Sequence, residues 1–172
     1  CIFEIVYFKT MLMDNRSVSY LTFQLGKKEY ALPVDRISTI LDSSREKNID
    51  TDICYLKGIV IDESGIIPIV SMAELLNVPT TTDEEVSSII MTNFYCSDKL
   101  FKIGLNVDMV TSVLGIGSDF IDEQEEKYSY FLPKAVKAEV KDKCQKIYLL
   151  DPKALFSEDD LLDIFIEIKR FL

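Results

Sequence analysis

At 172 residues, 48% of them hydrophobic, the chain is long enough for one domain or for two small, closely packed ones. Its 29 acidic against 19 basic residues leave a net charge of −10, which argues against nucleic acid, because phosphate binding relies on Lys and Arg. There is no histidine, which removes the commonest general base, the Ser-His and Cys-His nucleophile pairs and the commonest metal ligand.

Residues 1–17 read as an N-terminal extension. Residues 1–13 are largely apolar but fall short of the ~20 residues a membrane span needs, so no direct membrane insertion is expected. Cys1 has two readings: the lipid-bearing end of a surface-anchored β-module, or a start placed too early, with Met11 or Met13 the true beginning. The four cysteines, Cys1, Cys54, Cys96 and Cys144, form no CxxC pair and read as buried or idle thiols; no metal site and no cofactor are expected.

Val18 to Leu25 is β-branched and aromatic, and Gly26-Lys27-Lys28 turns it into Glu29 to Leu32, which is a hairpin. In Val34 to Leu41 the apolar residues stand at 34, 37, 40 and 41, the spacing of a helical turn that opens into a short strand. Asp42 to Asp52 reads as polar loop. The apolar runs Tyr55 to Ile61 and Ile66 to Val70 flank Ser64-Gly65 and form a second hairpin. Ile59, Ile61, Ile69 and Val70 are read as core. Pro79 to Glu85 has almost nothing to bury and is the best linker candidate. Strands are expected over Val86 to Tyr95, Leu100 to Val107 and Thr111 to Ile116, then an acidic loop over 117–129, then strands over Ala135 to Val140 and Lys146 to Leu150. That loop has no EF-hand spacing and reads as solvated. A helix closes the chain over 158–172, with Ser157 as N-cap, three acids in its first turn, Lys169-Arg170 in its last, and an apolar stripe of Leu161, Ile164, Phe165, Ile168 and Leu172 broadened by Leu162, Ile166 and Phe171. So wide a stripe normally docks on its own protein; the other reading is a partner-binding helix.

One octet occurs twice: Val-Asp-Arg-Ile-Ser-Thr-Ile-Leu at 34–41 and Val-Asp-Met-Val-Thr-Ser-Val-Leu at 107–114. Phe23 to Gly26 and Phe101 to Gly104 precede the copies in the same local order, and each half closes with an apolar strand running into a capped turn, at Ser71 and at Asp151-Pro152. Offsets between matched residues drift from 73 (Val34 to Val107) to 80 (Ser71 to Asp151). These matches predict two related halves of about 18–78 and 86–157 sharing one core. An enzyme reading has only Asp62-Glu63-Ser64 to rest on. Adjacent strand residues point to opposite faces, so the two carboxylates cannot share a substrate.

Val18 to Gly26, Tyr30, Val34 to Ile40, Tyr55 to Ile59 with Pro68-Ile69-Val70, Gly104-Leu105, Val107-Asp108, Val110 and Leu149 to Asp151 leading to Leu155 together resemble the CheW chemotaxis coupling-protein domain. The resemblance covers roughly 18–157 and rests on order and spacing. It implies an all-β fold of two packed five-stranded SH3-like β-barrel subdomains with short helices and the C-terminal helix. It also implies a cytoplasmic, non-enzymatic adaptor, associated with membrane-bound receptor arrays, that joins chemoreceptor (methyl-accepting chemotaxis protein) tips to the regulatory domain of a histidine kinase. By motif position the receptor contacts would be Ile37, Ile40, Gly58 and Glu63; the kinase-binding residues stay unassigned. Three departures mark a divergent member: Glu63-Ser64 stand where the family has Arg-Gly, Thr39 replaces a common acid, and Leu132 to Ala135 replace a glycine-rich segment. An anion in place of a cation would repel an acidic receptor tip, which leaves open a module serving another kinase pathway.

Overall fold

The structure, a computed structural model, describes residues 17–79, 87–117, 135–142 and 144–172. Residues 1–16 of the expected extension, 80–85 of the expected linker, most of the acidic loop and Leu132 to Lys134 lie outside the described residues.

Alternating apolar and polar side chains, punctuated by turn residues, give the strands β1 (Ser17–Leu25), β2 (Lys28–Pro33), β3 (Ile37–Asp42), β4 (Lys47–Asn48), β5 (Leu56–Asp62), β6 (Gly65–Ser71), β7 (Ser88–Cys96), β8 (Lys99–Val107), β9 (Met109–Gly117), β10 (Val136–Asp142) and β11 (Gln145–Leu150). The short helix α1 (Met72–Leu75) is capped by the Ser71 hydroxyl, and the 3-10 turn Pro152–Ala154 by the Asp151 carboxylate. Asp42 to Asp52 is not all loop. It holds a 3-10 turn at Ser43–Arg45 and the two-residue β4, whose side chains are exposed because backbone pairing to β5 alone holds it.

The strands form a five-stranded sheet in the order β10-β11-β2-β1-β9 and a six-stranded sheet in the order β4-β5-β6-β8-β7-β3. Apart from β4, the second order repeats the first with the halves exchanged. Each sheet joins the opening hairpin of one half to the third strand and closing hairpin of the other. Registers make the repeat exact to the residue. Parallel pairing sets Ala31 opposite Leu149 and Gly104 opposite Ile69, so the offset of 80 between Ile69 and Leu149 matches Ala31 to Gly104 at an offset of 73. Bulges agree as well. Ser38 in β3 and Thr111 in β9 are the extra residues of their ladders, and so are Lys57 in β5 and Lys137 in β10, 73 and 80 positions apart. The Phe23-to-Gly26 match with Phe101-to-Gly104 is overturned: Gly26 is a turn residue with φ of 60°, whereas Gly104 lies inside β8. Short apolar words can align out of register; backbone pairing cannot.

Both sheets curl into SH3-like barrels. Tyr20, Ala31, Ala138, Val140, Ile147 and Leu149 fill one, and Val60, Ile67, Ile69, Ile89 and Met91 fill the other. The opposite strand faces, with Phe23, Leu32, Ile59, Val70, Ile90 and Leu105 among them, meet in a larger common core. Strand alternation therefore serves two interiors at once. Ile59, Ile69 and Val70 are buried as expected, but Ile61 is 51% exposed. It sits one pair from the β5–β6 turn, past the end of the covering layer.

The C-terminal helix α2 (Glu158–Ile168) begins with a reciprocal Ser157–Asp160 capping box and lays Leu161, Ile164 and Ile168 into the common core. Phe165 packs its ring 4.3 Å from that of Phe101. Lys169 and Arg170 fall in a closing 3-10 turn rather than in the last α-helical turn. The stripe does not end in full burial: Leu162, Ile166, Phe171 and Leu172 remain exposed.

Candidate functional site: a groove beside strand β3

Within the repeated octet only the third position changes in charge, Arg36 in the first copy against Met109 in the second. The 3-10 turn Val34–Arg36 buries Val34 and delivers Arg36 over the ring of Tyr95, 5.4 Å from its centroid. That cation–π pair stands at one end of a groove of about 430 Å³ lined by Arg36, Phe94, Tyr95, Pro152, Lys153, Phe156, Glu158 and Leu161. Its walls come from β7, from the capped turn after β11 and from the start of α2. Its floor is the common core, because Phe94, Phe156 and Leu161 belong to that one cluster. Phe156 holds the floor together, edge-on to Phe94 at 5.1 Å and tilted against Tyr55 at 6.2 Å. Two cations against one anion make this a locally basic, aromatic groove on an acidic protein, suited to an acidic partner with apolar anchors.

Behind the groove, burial pushes the Tyr55 phenol up to about 12, with the charges of Asp160, Cys54 and Asp163 adding to it. Burial also raises Tyr20 and Tyr30. A phenol whose folded pKa lies above its ordinary 10.0 contributes its full stability below pH 10 and loses it as the pH rises through about 12. The melting temperature is expected to fall across that window, and Tyr55→Phe to make the fall shallower. Melts from pH 9 upward, with tyrosinate absorbance, test this; equal slopes in the two proteins would refute it.

The residues expected from the resemblance are spread over the second sheet. Ile37 and Ile40 stand on β3, opposite Thr92 and Ile90 of β7. Ile37 is only 8% exposed, and Ile40 is half-buried against the common core. Gly58 is buried on β5, where a Cβ would run into the Lys47 carbonyl and the Glu46 side chain, so its part is to admit β4. Its repeat equivalent, Ala138, lies on the edge strand β10, with no such neighbour in the sheet order. Glu63 is exposed at the β5–β6 turn. In the sheet order β7, β8 and β6 stand between β3 and β5, while the short 3-10 segment after Asp42 leads from β3 directly into β4, the neighbour of β5. Asp62 is held by its own turn: its carboxylate accepts from the Ser64 hydroxyl and amide, and these bonds hold its pKa below the usual carboxylate range. Among the described residues no group of three or more His, Cys, Asp or Glu is placed to hold a metal. No helix among them is long and apolar enough to cross a membrane. Phe94, Tyr95 and Phe156 carried no sequence signal beyond apolar character; Arg36 carried one, as the odd position in the repeat.

Two barrels sharing a core, with a basic aromatic groove between strand and helix, define a paired β-barrel domain. The chain belongs to the CheW-like domain family, whose model matches residues 19–160. It is 25% identical over 114 residues to the chemotaxis protein CheW of Thermotoga maritima, covering 66% of this chain and 72% of that protein. Among solved structures it is similar to the scaffolding protein TtCheW from Thermoanaerobacter tengcongensis, with a TM-score of 0.68 and 20% identity, covering 82% of this chain and 93% of that one.

Proposed function

We propose that the chain is a non-catalytic adaptor that couples the cytoplasmic tip of a chemoreceptor to the regulatory domain of a histidine kinase in chemotaxis. The observation that carries this reading is a family match running through both barrels, 19–160. The tip helix docks in the groove, its apolar side on Phe94 and Tyr95 and its acidic side toward Arg36 and Lys153. Ile40 extends that surface along β3, Ile37 and Gly58 hold the strands that present it, and exposed Glu63 sets the charge at the far hairpin. Mixing the protein with a receptor tip fragment and the kinase should give a ternary complex by sedimentation. Binding to neither component would end this reading.

Tyr95 is 63% exposed, so truncating it removes contact surface with little loss of packing. Tyr95→Ala and Arg36→Glu are each expected to weaken tip binding by tenfold or more, the scale of an aromatic or Arg anchor worth ~2 kcal/mol. Calorimetric titration, with melts to show that the fold is kept, decides it. One observation favours a second reading. Glu63, at the position where the family carries Arg, fits a module that serves a receptor and kinase of another signalling route. Glu63→Arg should then strengthen binding to an acidic tip, whereas no change would remove Glu63 from the contact.

A further inference from the structure

The groove surface does not stop at Tyr95. Phe94 and Phe101, opposite each other in β7 and β8, face the common core. Tyr95 and Leu100, the next pair of the ladder, therefore point the other way, and they are 63% and 56% exposed. Ser97 and Asp98, in the turn between them, both take the left-handed conformation, with φ of 47° and 62°, that the tightest hairpin turns require, so the pair is held in register. Asn93 and Lys102 are also a cross-strand pair and share the face of Tyr95 and Leu100. On β7 this face is the one that carries Ile89 and Met91 into the second barrel, so the four residues form the rim of that barrel. The Asn93 side-chain oxygen is buried and has no hydrogen-bond partner. In a domain that stood alone, an apolar residue at this position would be more stable.

We infer that the receptor tip helix crosses β7 onto β8, so that Leu100 is its second apolar anchor and Asn93 a polar contact completed only in the complex; this rests on the groove being the tip site. Continuity and spacing carry it. In the sheet order β8 lies on the side of β7 away from β3, so a helix that leaves the groove over Tyr95 meets Leu100 next. Opposed strand residues have Cβ atoms about 5 Å apart, and residues one helical turn apart about 5–6 Å, so a single apolar stripe seats on both side chains. Charge agrees with an acidic helix. Arg36 stacks on Tyr95 at the groove end, and Lys102 follows Leu100 at the other. Asp62 attracts Lys102, but its carboxylate already accepts from the Ser64 amide and hydroxyl; Asp98 and Lys99 offset each other in the turn. A helix over this rim shields Asn93 from water, and the amide can then turn its oxygen to a donor on the helix. The matching tip segment has two apolar residues one turn apart, an acid beside the first and a side-chain donor beside the second.

Calorimetric titration of the full chain with a receptor tip fragment, run beside thermal melts, tests this. Leu100→Ser is expected to weaken tip binding about fivefold or more, with melting close to that of the parent because the side chain already faces solvent. Asn93→Leu should move the two readouts in opposite directions. Its melting temperature rises, because an unpaired oxygen is removed, while tip affinity falls by about threefold or more. A residue with a merely structural part would move both the same way. Unchanged tip binding in Leu100→Ser overturns the inference and leaves the groove assignment standing, since Tyr95→Ala and Arg36→Glu test that separately. An Asn93→Leu protein that binds the tip as tightly as the parent, or that loses stability and affinity together, overturns the role of Asn93. A parent chain that binds no tip removes the groove reading and this inference with it.

Discussion

Phe156→Ala is expected to lower stability by about 3–5 kcal/mol, the usual loss when a buried Phe is cut to Ala. The residue is 6% exposed and stands where three elements meet: β7 through Phe94, the segment before β5 through Tyr55, and α2, which begins two residues later. Little around it can collapse into the space. The Ser157–Asp160 capping box pins the backbone on one side, and the turn Pro152–Ala154 pins it on the other. A retained cavity adds its own cost to the lost transfer energy, which places this variant toward the larger values. For a chain of this size the melting temperature should fall by roughly 10 °C or more. The same change opens the groove floor, so tip binding should weaken together with stability. Phe156→Leu keeps most of the volume and should recover most of the stability. A fall below 1 kcal/mol in denaturant melts would show that the aromatic cluster is not where α2 is held.

The sequence made local structure legible wherever side chains alone decide it. Gly26 and Ser64-Gly65 marked their turns, Ser71, Asp151 and Ser157 marked their caps, and the octet marked equivalent strands β3 and β9. The partners of those strands were not legible. β3 pairs with β7 and β9 with β1, so each barrel is closed by the other half, and nothing in an apolar word says which edge it will complete. Two hairpins of similar pattern compete for each third strand, and only packing of the common core separates the choices. The groove was hidden for a related reason. Phe156 lies 62 residues from Phe94 and 61 from Tyr95 in the chain, and each alone reads as one more strand or turn residue. Their meeting depends on the segment between β11 and α2 laying Phe156 against Phe94 of β7. Ile61 failed in the opposite direction, since strand alternation predicts a face and cannot predict where the cover stops.

Gly104→Val is expected to destabilise by about 1–3 kcal/mol through overpacking. A Cβ at Gly104 would overlap Ile69 Cδ1 and Ile89 Cγ2, and it would touch Met91 Sδ at 3.3 Å. All three neighbours belong to the interior of the second barrel, which has no exposed side into which they can move. The repeat supplies the control. Ala31 is the equivalent residue of the first barrel, fully buried, and there the methyl group is accommodated beside Leu149 and Tyr20. Position 149 is Leu where position 69 is Ile, and it is the Cδ1 end of Ile69 that a Cβ at 104 would meet, an end that Leu places differently. Ile69→Leu should therefore relieve part of the cost of Gly104→Ala, and a double-mutant cycle should show a favourable coupling energy of 0.5 kcal/mol or more by the usual size for contacting residues, roughly. Simple additivity of the two changes would mean that Gly104 is set by backbone freedom within β8, and that the two barrel interiors differ for some reason other than this one contact.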